Sequence, residues 1–385
     1  LGVENLDLDV VVEGDGIFFA EKLASALDGR VRSHHQFGTA IVFLPDGQKI
    51  DVASARAEFY ARPAAMPEVA SSSIKQDLYR RDFTVNAMAL KLNSQDFGRL
   101  VDFFGGLRDL QHGVIRVLHN LSFIEDPTRA FRAVRFEQRH HFRMEGHTES
   151  LLKQAIHGNI FEKVAFERIR DEMILILSEE YPLPALQRLH KLKLLRVIHP
   201  DLKLDQRQIE ILEGVQKAGK EYEGLLKKYS LKLWLLYCIA LLASLARESA
   251  EQVCHRFRFS KTIMKRLSTP EEGVRKMISA LSAKDMTAGG LADRLQDFSD
   301  EVVFFILSQV RNPRVKGNLE EYMTTLRKLR GYLTGKDLKA MGVQPGPVYR
   351  QLLHKALLAQ LDGEIIGHEE AIQFASRELA RRGQG

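Results

Sequence analysis

Asp7 and Asp9 stand one residue apart in the apolar run LDLDVVV. A strand has a period of two, so both carboxylates share one face while Leu6, Leu8 and Val10 take the other. Carboxylates held side by side repel. A hard cation such as Mg²⁺ relieves this, and it prefers a few carboxylates plus substrate phosphates. Taken alone, the pattern reads more simply as an edge strand with a solvated acidic face. Asp51 shifts that balance, because it lies between Ile50 and Val52 in another strand-like stretch. A strand there, paired beside Leu6 to Val12, would bring three carboxylates to one sheet face. That constellation serves two-metal phosphoryl or nucleotidyl transfer, in which one ion activates the attacking hydroxyl and the other steadies the leaving oxygen.

The stretch IEDPTRAFRAVRF (124–136) carries a second chemistry. Asp126 before Pro127 predicts a helix start, as N-cap and N1. Arg129, Arg132 and Arg135 then recur every three residues and share one helical face. A solvated basic face would have acids three or four residues away, and neither Arg132 nor Arg135 has one. Clustered guanidinium groups without local acids look for an external anion, and phosphate suits their forked donors. In LYRRDFTVNAMAL (78–90), Arg80, Arg81, Asp82 and Asn86 form a polar set at the entry to an expected helix with Val85, Met88 and Ala89 on its apolar face. A capped surface helix explains that set equally well.

The elements that must position these groups are legible in outline. Leu6 to Val12 reads as a strand. Ile17, Ala20, Ala24 and Leu27 share the face of a helix stopped by Gly29. Ala40–Leu44 and Lys49–Ala53 flank the turn PDGQ as a hairpin. This β-α-β-β order predicts a small mixed sheet. Gly14-Asp15-Gly16 after the first strand suggests a dinucleotide fingerprint, but Phe19 occupies the third glycine position, and aspartates inside that strand do not belong there. Ala61 to Ser73, rich in Pro, Ala and Ser, predicts a mobile loop.

After residue 118 the pattern is helical, with breaks at Gly158-Asn159, Tyr181–Pro184, His199-Pro200, Gly219 and Asn312-Pro313. FERIRDEMILIL (166–177) reads as a helix with Phe166, Ile169, Met173 and Leu177 inward and Glu167, Arg168 and Arg170 solvated, a part in framing the arginine-bearing helix being the alternative. Trp234 and Cys238 read as core. The pairs His34-His35 and His140-His141 are not read as zinc sites.

With 385 residues, the chain holds two to four domains. Hydrophobic residues at 45% and charged residues at 28% place it among globular rather than disordered chains. Two cysteines exclude a disulfide framework and a four-thiolate zinc site, and suit a reducing, cytoplasmic setting. The apolar run Leu233 to Ala246 falls short of the ~20 residues of a membrane span, so no membrane role is expected. A net charge of +6 permits nucleic-acid binding without demanding it.

LDLDVVV, RRDFTVNAMA, VDFFGGLRDL (101–110) and EDPTRAFRAVRF, in that order, resemble the class II tRNA nucleotidyltransferases (CCA-adding and A-adding enzymes) and bacterial poly(A) polymerases of the polymerase-β-like superfamily. The tail LTGKDLKAMGVQPGP resembles the same family. The resemblance implies an α+β fold, with a small mixed-sheet nucleotidyltransferase head and an elongated all-α body. It implies that Asp7 and Asp9 hold two Mg²⁺ ions with Asp51 as third carboxylate. Arg81 and Asp82 would contact the ribose of the incoming nucleotide with Asn86 nearby. Asp126 and Arg129 would read the base, and Arg132 and Arg135 would complete the site.

An aspartate accepting from the exocyclic amine of adenine or cytosine, beside an arginine donating to the adjacent ring nitrogen, forms a protein template that rejects uracil and guanine. The family's G-G-x-V-R-D strand-turn does not precede LDLDVVV here. The head is therefore expected to lack its first strand and this polypeptide to be weak or inactive.

The expected organisation is a head over 1–118, a nucleotide-recognition neck over 119–182, a helical body over 183–270 and an RNA-binding tail over 271–385. In the tail, a Gly/Pro turn runs into a helix at Pro347. With Lys336, Lys339, Gly346 and Arg350, it is a candidate for RNA phosphate contacts, an ordinary helix-hairpin turn being the alternative. The expected function is addition of AMP from ATP to the 3′ end of tRNA, the A-adding branch. Full CCA addition and poly(A) synthesis use the same residues. A catalytically dead RNA-binding scaffold is the rival class. The acceptor arm would be held by phosphates and shape, and no protein partner is expected.

Overall fold

A computed structural model describes residues 7–65, 67–267 and 271–383; Leu1, Gly2 and Leu6 lie outside the described residues. The chain divides into two compact units, Leu1–Glu172 with Lys191–Val197, and Met173–His190 with Ile198–Gly385.

The first unit opens with β1 (Leu8–Val12), α1 (Gly16–Ala26), β2 (Arg30–His34), β3 (Thr39–Phe43) and β4 (Lys49–Ser54). The sheet order is β1-β4-β3-β2, with β1 and β4 parallel and the other neighbours antiparallel. Period-two alternation drives this layer. Val10, Val12, Val42, Ile50 and Val52 pack with Ala20 and Ala24 of α1 into one core. Asp15 caps α1, its carboxylate accepting from the Phe18 N–H at 3.0 Å. At Gly16 a Cβ would lie 2.7 Å from the Ser54 nitrogen, so only glycine allows this approach of helix to strand. The PDGQ turn forms with Gly47 at φ +88°, and Asp46 accepts from the Gln48 N–H at 2.9 Å. The strand β2 extends the expected β-α-β-β order by one.

Two further expectations are corrected. Within the Pro/Ala/Ser-rich segment, β6 (Glu68–Ser71) pairs antiparallel with β5 (Arg56–Phe59). After α2 (Ile74–Tyr79), RRDFTVNAMAL does not form a helix. Thr84–Asn86 make one 3₁₀ turn, and β7 (Met88–Leu90) pairs with β8 (Leu100–Asp102). Pairing with a segment ten residues downstream overrides the local helical pattern. There follow α3 (Gly106–Gln111), β9 (Val114–Ile115), α4 (Ser122–Glu125), α5 (Arg129–Arg139), β10 (Arg143–Met144), α6 (Gly146–His157) and α7 (Phe166–Leu177).

From there the described elements are helical. They run α8 (Leu183–Lys191), α9 (Leu194–Ile198), α10 (Gln206–Glu221), α11 (Glu223–Lys228), α12 (Leu233–Leu242), α13 (Arg247–Arg256) and α14 (Lys261–Leu267). They continue α15 (Glu271–Leu281), α16 (Ala288–Leu295), α17 (Asp300–Gln309), α18 (Pro313–Thr324), α19 (Gly335–Ala340), α20 (Pro347–Leu361) and α21 (His368–Gly383). Helix α12 is buried from Leu235 to Leu242 and packs on α10 and α17, which explains its uniformly apolar sequence. Trp234 stacks on Phe259 with ring centroids 6.1 Å apart, and Cys238 and Cys254 are buried free thiols. Gly219 lies inside α10 rather than at a break. No described helix is long and apolar enough to cross a membrane.

Candidate functional site

The parallel register of β1 on β4 sets Asp9 directly beside Asp51. Neighbouring strands run ~4.8 Å apart. Because Val10, Val12, Ile50 and Val52 face α1, the two aspartates occupy the opposite, open face, and both are exposed. Among the described residues neither carboxylate takes a hydrogen bond or ion pair. Asp7 precedes β1, one residue before the ladder begins at Leu8↔Ile50, and is exposed. The expected trio thus becomes a ladder pair with Asp7 just outside it. Among the described residues no group of three or more His, Cys, Asp or Glu is gathered closely enough to hold a metal ion. The donor chemistry of Asp9 and Asp51, hard oxygens with no counter-charge of their own, nonetheless fits Mg²⁺.

The arginines build a cleft of about 630 Å³. The loop after α2 supplies Arg80, Arg81, Asp82 and Asn86 to it, the start of α5 Asp126, Arg129 and Arg132, and α7 Arg168, Asp171 and Glu172. Asp82 is buried; its Oδ1 accepts from the Phe83 N–H (2.9 Å) and Asn86 Nδ2 (3.0 Å). Its Oδ2 takes the fork of Arg132, at 2.8 Å from Nε and 2.6 Å from Nη2. The remaining arm of Arg132 reaches Glu172 at 3.1 Å. Arg135 is buried behind the cleft, with Nη2 3.5 Å from Glu172 and its guanidinium 4.9 Å over the Phe136 ring.

The expectation that Arg132 and Arg135 await an external anion is therefore corrected. Their counter-charges lie 50 and 40 residues away along the chain for Arg132 and 37 for Arg135. A search of neighbouring helical positions cannot find them. Arg135 does not line the cleft, contrary to its expected place in the nucleotide site.

Asp126 differs from expectation in detail. The helix begins at Arg129, and Asp126 accepts from the Thr128 N–H at 3.1 Å and Oγ1 at 2.6 Å, which caps the preceding turn instead. Its other oxygen takes Arg168 Nη2 at 2.7 Å, so Arg168 follows the framing alternative and not the favoured solvated one. Arg129 is 4% exposed, and its Nη2 donates to the Arg80 carbonyl at 2.7 Å. Three lining arginines keep a buried N–H with no acceptor among the described residues: Arg81 Nε, Arg129 Nη1 and Arg168 Nη1. Such donors suit a ligand rich in acceptors.

Buried Asp77 and partly buried Glu58 hold the loop beneath. Asp77, fully buried, accepts from Arg80 at 2.9 Å and from the Arg56 N–H at 3.3 Å, and lies 3.4 Å from Arg81. Glu58 takes Arg80 at 3.0 Å and the Tyr60 hydroxyl at 3.0 Å. Burial, then the charge of Glu58, pushes the Tyr60 hydroxyl well above its usual range. Burial, then the Arg129 cation, lowers the His119 imidazole to about 4. Its 3.4 Å approach to Glu125 therefore joins a neutral ring to the carboxyl at neutral pH. Burial raises the Glu125 carboxyl, and Arg129 partly opposes this.

Sequence reasoning missed Glu172 altogether. Its signal was the helical spacing of Arg168 and Glu172, which puts both on one face of α7. The tail candidates belong to the second unit. Lys336, Lys339, Gly346 and Arg350 are exposed, and Gly346 is the N-cap of α20.

The family model described as the poly A polymerase head domain matches residues 1–116, and that of a probable RNA and SrmB-binding site of polymerase A matches 141–205. An A-adding tRNA nucleotidyltransferase of Geobacter sulfurreducens is 42% identical over 98% of this chain and 43% of its own length. One of Halalkalibacterium halodurans is 33% identical over 97% of this chain and 84% of its own. This chain thus spans less than half of the first relative. A solved structure of the Thermotoga maritima CCA-adding enzyme complexed with tRNA superposes with a TM-score of 0.74 at 34% identity, covering 98% of this chain and 88% of that one.

Proposed function

The chain belongs to the family of tRNA nucleotidyltransferases built on the poly(A) polymerase head domain, and on that premise we propose that it transfers AMP from ATP to the 3′ end of tRNA. The observation that carries this reading is the pairing of two sites in one compact unit: bare Asp9 and Asp51 in register, and a cleft whose arginines retain unsatisfied donors. The terminal 3′-hydroxyl oxygen attacks the α-phosphorus of ATP. The bond from that phosphorus to the bridging oxygen breaks, and pyrophosphate leaves. Asp9 and Asp51, with Asp7, would hold Mg²⁺, which when bound lowers the pKa of the attacking hydroxyl and steadies the leaving oxygen.

Arg81, Asp82 and Asn86 contact the ribose. Arg129 Nη1 donates to a ring nitrogen of adenine, and the Asp126 carboxylate accepts from its exocyclic amine. Arg168 and Thr128 fix the Asp126 rotamer, and Arg132, clamped by Asp82 and Glu172, holds the ribose-binding aspartate in place. The two A-adding relatives favour a single AMP added to tRNA ending in CC. Mg²⁺-dependent labelling of tRNAs ending in CC, in C, or without either C, with each nucleotide in turn, tests this. The expected result is AMP alone, on the CC end. CMP incorporation would move the chain to the CCA-adding branch, and binding without incorporation would make it a scaffold.

A further inference from the structure

Between the end of β1 and the nucleotide cleft runs a set of aromatic rings to which nucleotide binding assigns no part. The Ile74 N–H, at the start of α2, donates to Glu13 just after β1 at 2.6 Å. Lys75, next in the chain, sits 5.7 Å over the Phe103 ring. Phe103 meets Phe104 at 6.1 Å, Phe104 meets Tyr79 at 5.7 Å, and Tyr79 lies on His119 at 5.0 Å, tilted 31°. Tyr79 is bonded in the chain to Arg80, which lines the cleft, and His119 lies close enough to Arg129 to feel its charge.

Phe103 is 48% and Tyr79 40% exposed. Single exposed rings are ordinary surface features, but three adjoining rings roofed by a cation are not. Asp102, beside Phe103 in the chain, is engaged in accepting from the N–H groups of Gly106 (2.8 Å) and Leu107 (3.0 Å) at the start of α3, and Glu125 lies 3.4 Å from His119 at the inner end of the set. Exposed Arg108 lies against Gly105. Rings with Lys75 over Phe103 and Arg108 on the adjoining turn carry the chemistry of a single-strand platform, in which bases stack on rings and phosphates meet cations.

We propose that the Tyr79–Phe103 ledge stacks the unpaired 3′ nucleotides of the RNA acceptor and leads its terminal hydroxyl toward Asp9 and Asp51. This deepens the nucleotidyl-transfer reading and rests on it for the identity of the strand. Contacts tie the ledge at one end to Glu13, just after the carboxylate strand, and at the other, through Tyr79, to Arg80 of the cleft.

The test compares two hairpin RNAs on the full chain, one ending in an unpaired ACC tail with 2-aminopurine in it, the other blunt. For the unaltered chain the tail should lower Kd roughly ten-fold or more and quench the fluorophore on binding, as stacking of one or two bases implies. Phe103→Leu, which keeps bulk but removes the ring face, should erase most of that advantage together with Tyr79→Leu. Tyr79→Phe should retain it, and blunt-hairpin binding should not change in any variant. Equal tail advantage in the double variant and the unaltered chain would overturn the ledge. If AMP transfer proceeds while the advantage ignores Phe103 and Tyr79, the ledge fails and the enzymatic reading stands. If the advantage follows the rings without any transfer, the ledge stands and that reading fails.

Discussion

The two halves of the candidate site are charged in opposite styles. Asp9 and Asp51 sit side by side with no partner among the described residues, whereas in the cleft Arg132 is paired with Asp82 and Glu172 and Arg168 with Asp126, while Arg80 and Arg81 lean on Asp77 beneath it. Exposed like charges repel only weakly in water, so the carboxylate pair needs no counter-charge from the protein. Five guanidinium groups sharing one cavity cannot do without it. Asp82 and Glu172 fix Arg132, Asp126 fixes Arg168, and Asp77 and Glu58 fix Arg80, which leaves buried donors without an acceptor at Arg81, Arg129 and Arg168. Readiness is bought by exposure in one half and by internal pairing in the other.

Changes that separate chemistry from architecture sharpen that contrast. The largest effect is expected at the bare pair. Asp51→Ala should cut AMP transfer by about a thousand-fold or more, roughly 4 kcal/mol of barrier, with Tm and RNA binding nearly unchanged. Transfer assays beside a melting curve check this, and a large drop in Tm would show that Asp51 is structural.

Glu172→Ala should do the reverse. It strands Arg135, which is buried, and leaves Arg132, a third exposed, with Asp82 alone. The expected loss is about 2–4 kcal/mol of stability, seen as a fall in Tm or in denaturation midpoint. Unchanged stability would mean that the cleft does not depend on its inner counter-charge.

A smaller effect concerns acid. The native His119 imidazole takes its proton near 4, whereas an unfolded histidine takes it near ~6.5. The unfolded state therefore binds more protons in that window, and stability falls as pH drops from ~6.5 toward 4, by about 1–3 kcal/mol. His119→Phe, which keeps a ring against Tyr79, should flatten that slope in urea titrations at several pH values. An unaltered slope would place the acid sensitivity elsewhere.

The smallest effect belongs to Arg168→Ala. Its pair with Asp126 is partly exposed, so stability should change by no more than about 1 kcal/mol. Releasing the Asp126 rotamer should still lower the preference for ATP over GTP several-fold in competition labelling.

What was readable in the sequence follows the same division. The carboxylate half is local: period two, the PDGQ turn and the apolar face toward α1 place Asp9 and Asp51 on the open side of the sheet. The strand β2 was missed because RVRSH has only Val31 as a large apolar residue, and β6 because Pro63, Pro67 and three serines disguise it as loop. The cleft is long-range. The Arg132 fork depends on Asp82 and Glu172, far off in the chain, and the helix expected after Arg81 gives way to pairing of Met88–Leu90 with Leu100–Asp102. The arginine spacing revealed a shared face, but only the fold decides which of those side chains enters the cleft and which, like Arg135, stays behind it.

In the proposed function both halves serve one reaction, and transfer of labelled AMP from ATP to tRNA ending in CC, by the unaltered chain and Asp9→Ala side by side, tests that most directly. One AMP per tRNA with the unaltered chain and none with Asp9→Ala is the expected result. Equal incorporation by both, or none by the unaltered chain while it still binds the RNA, would contradict it.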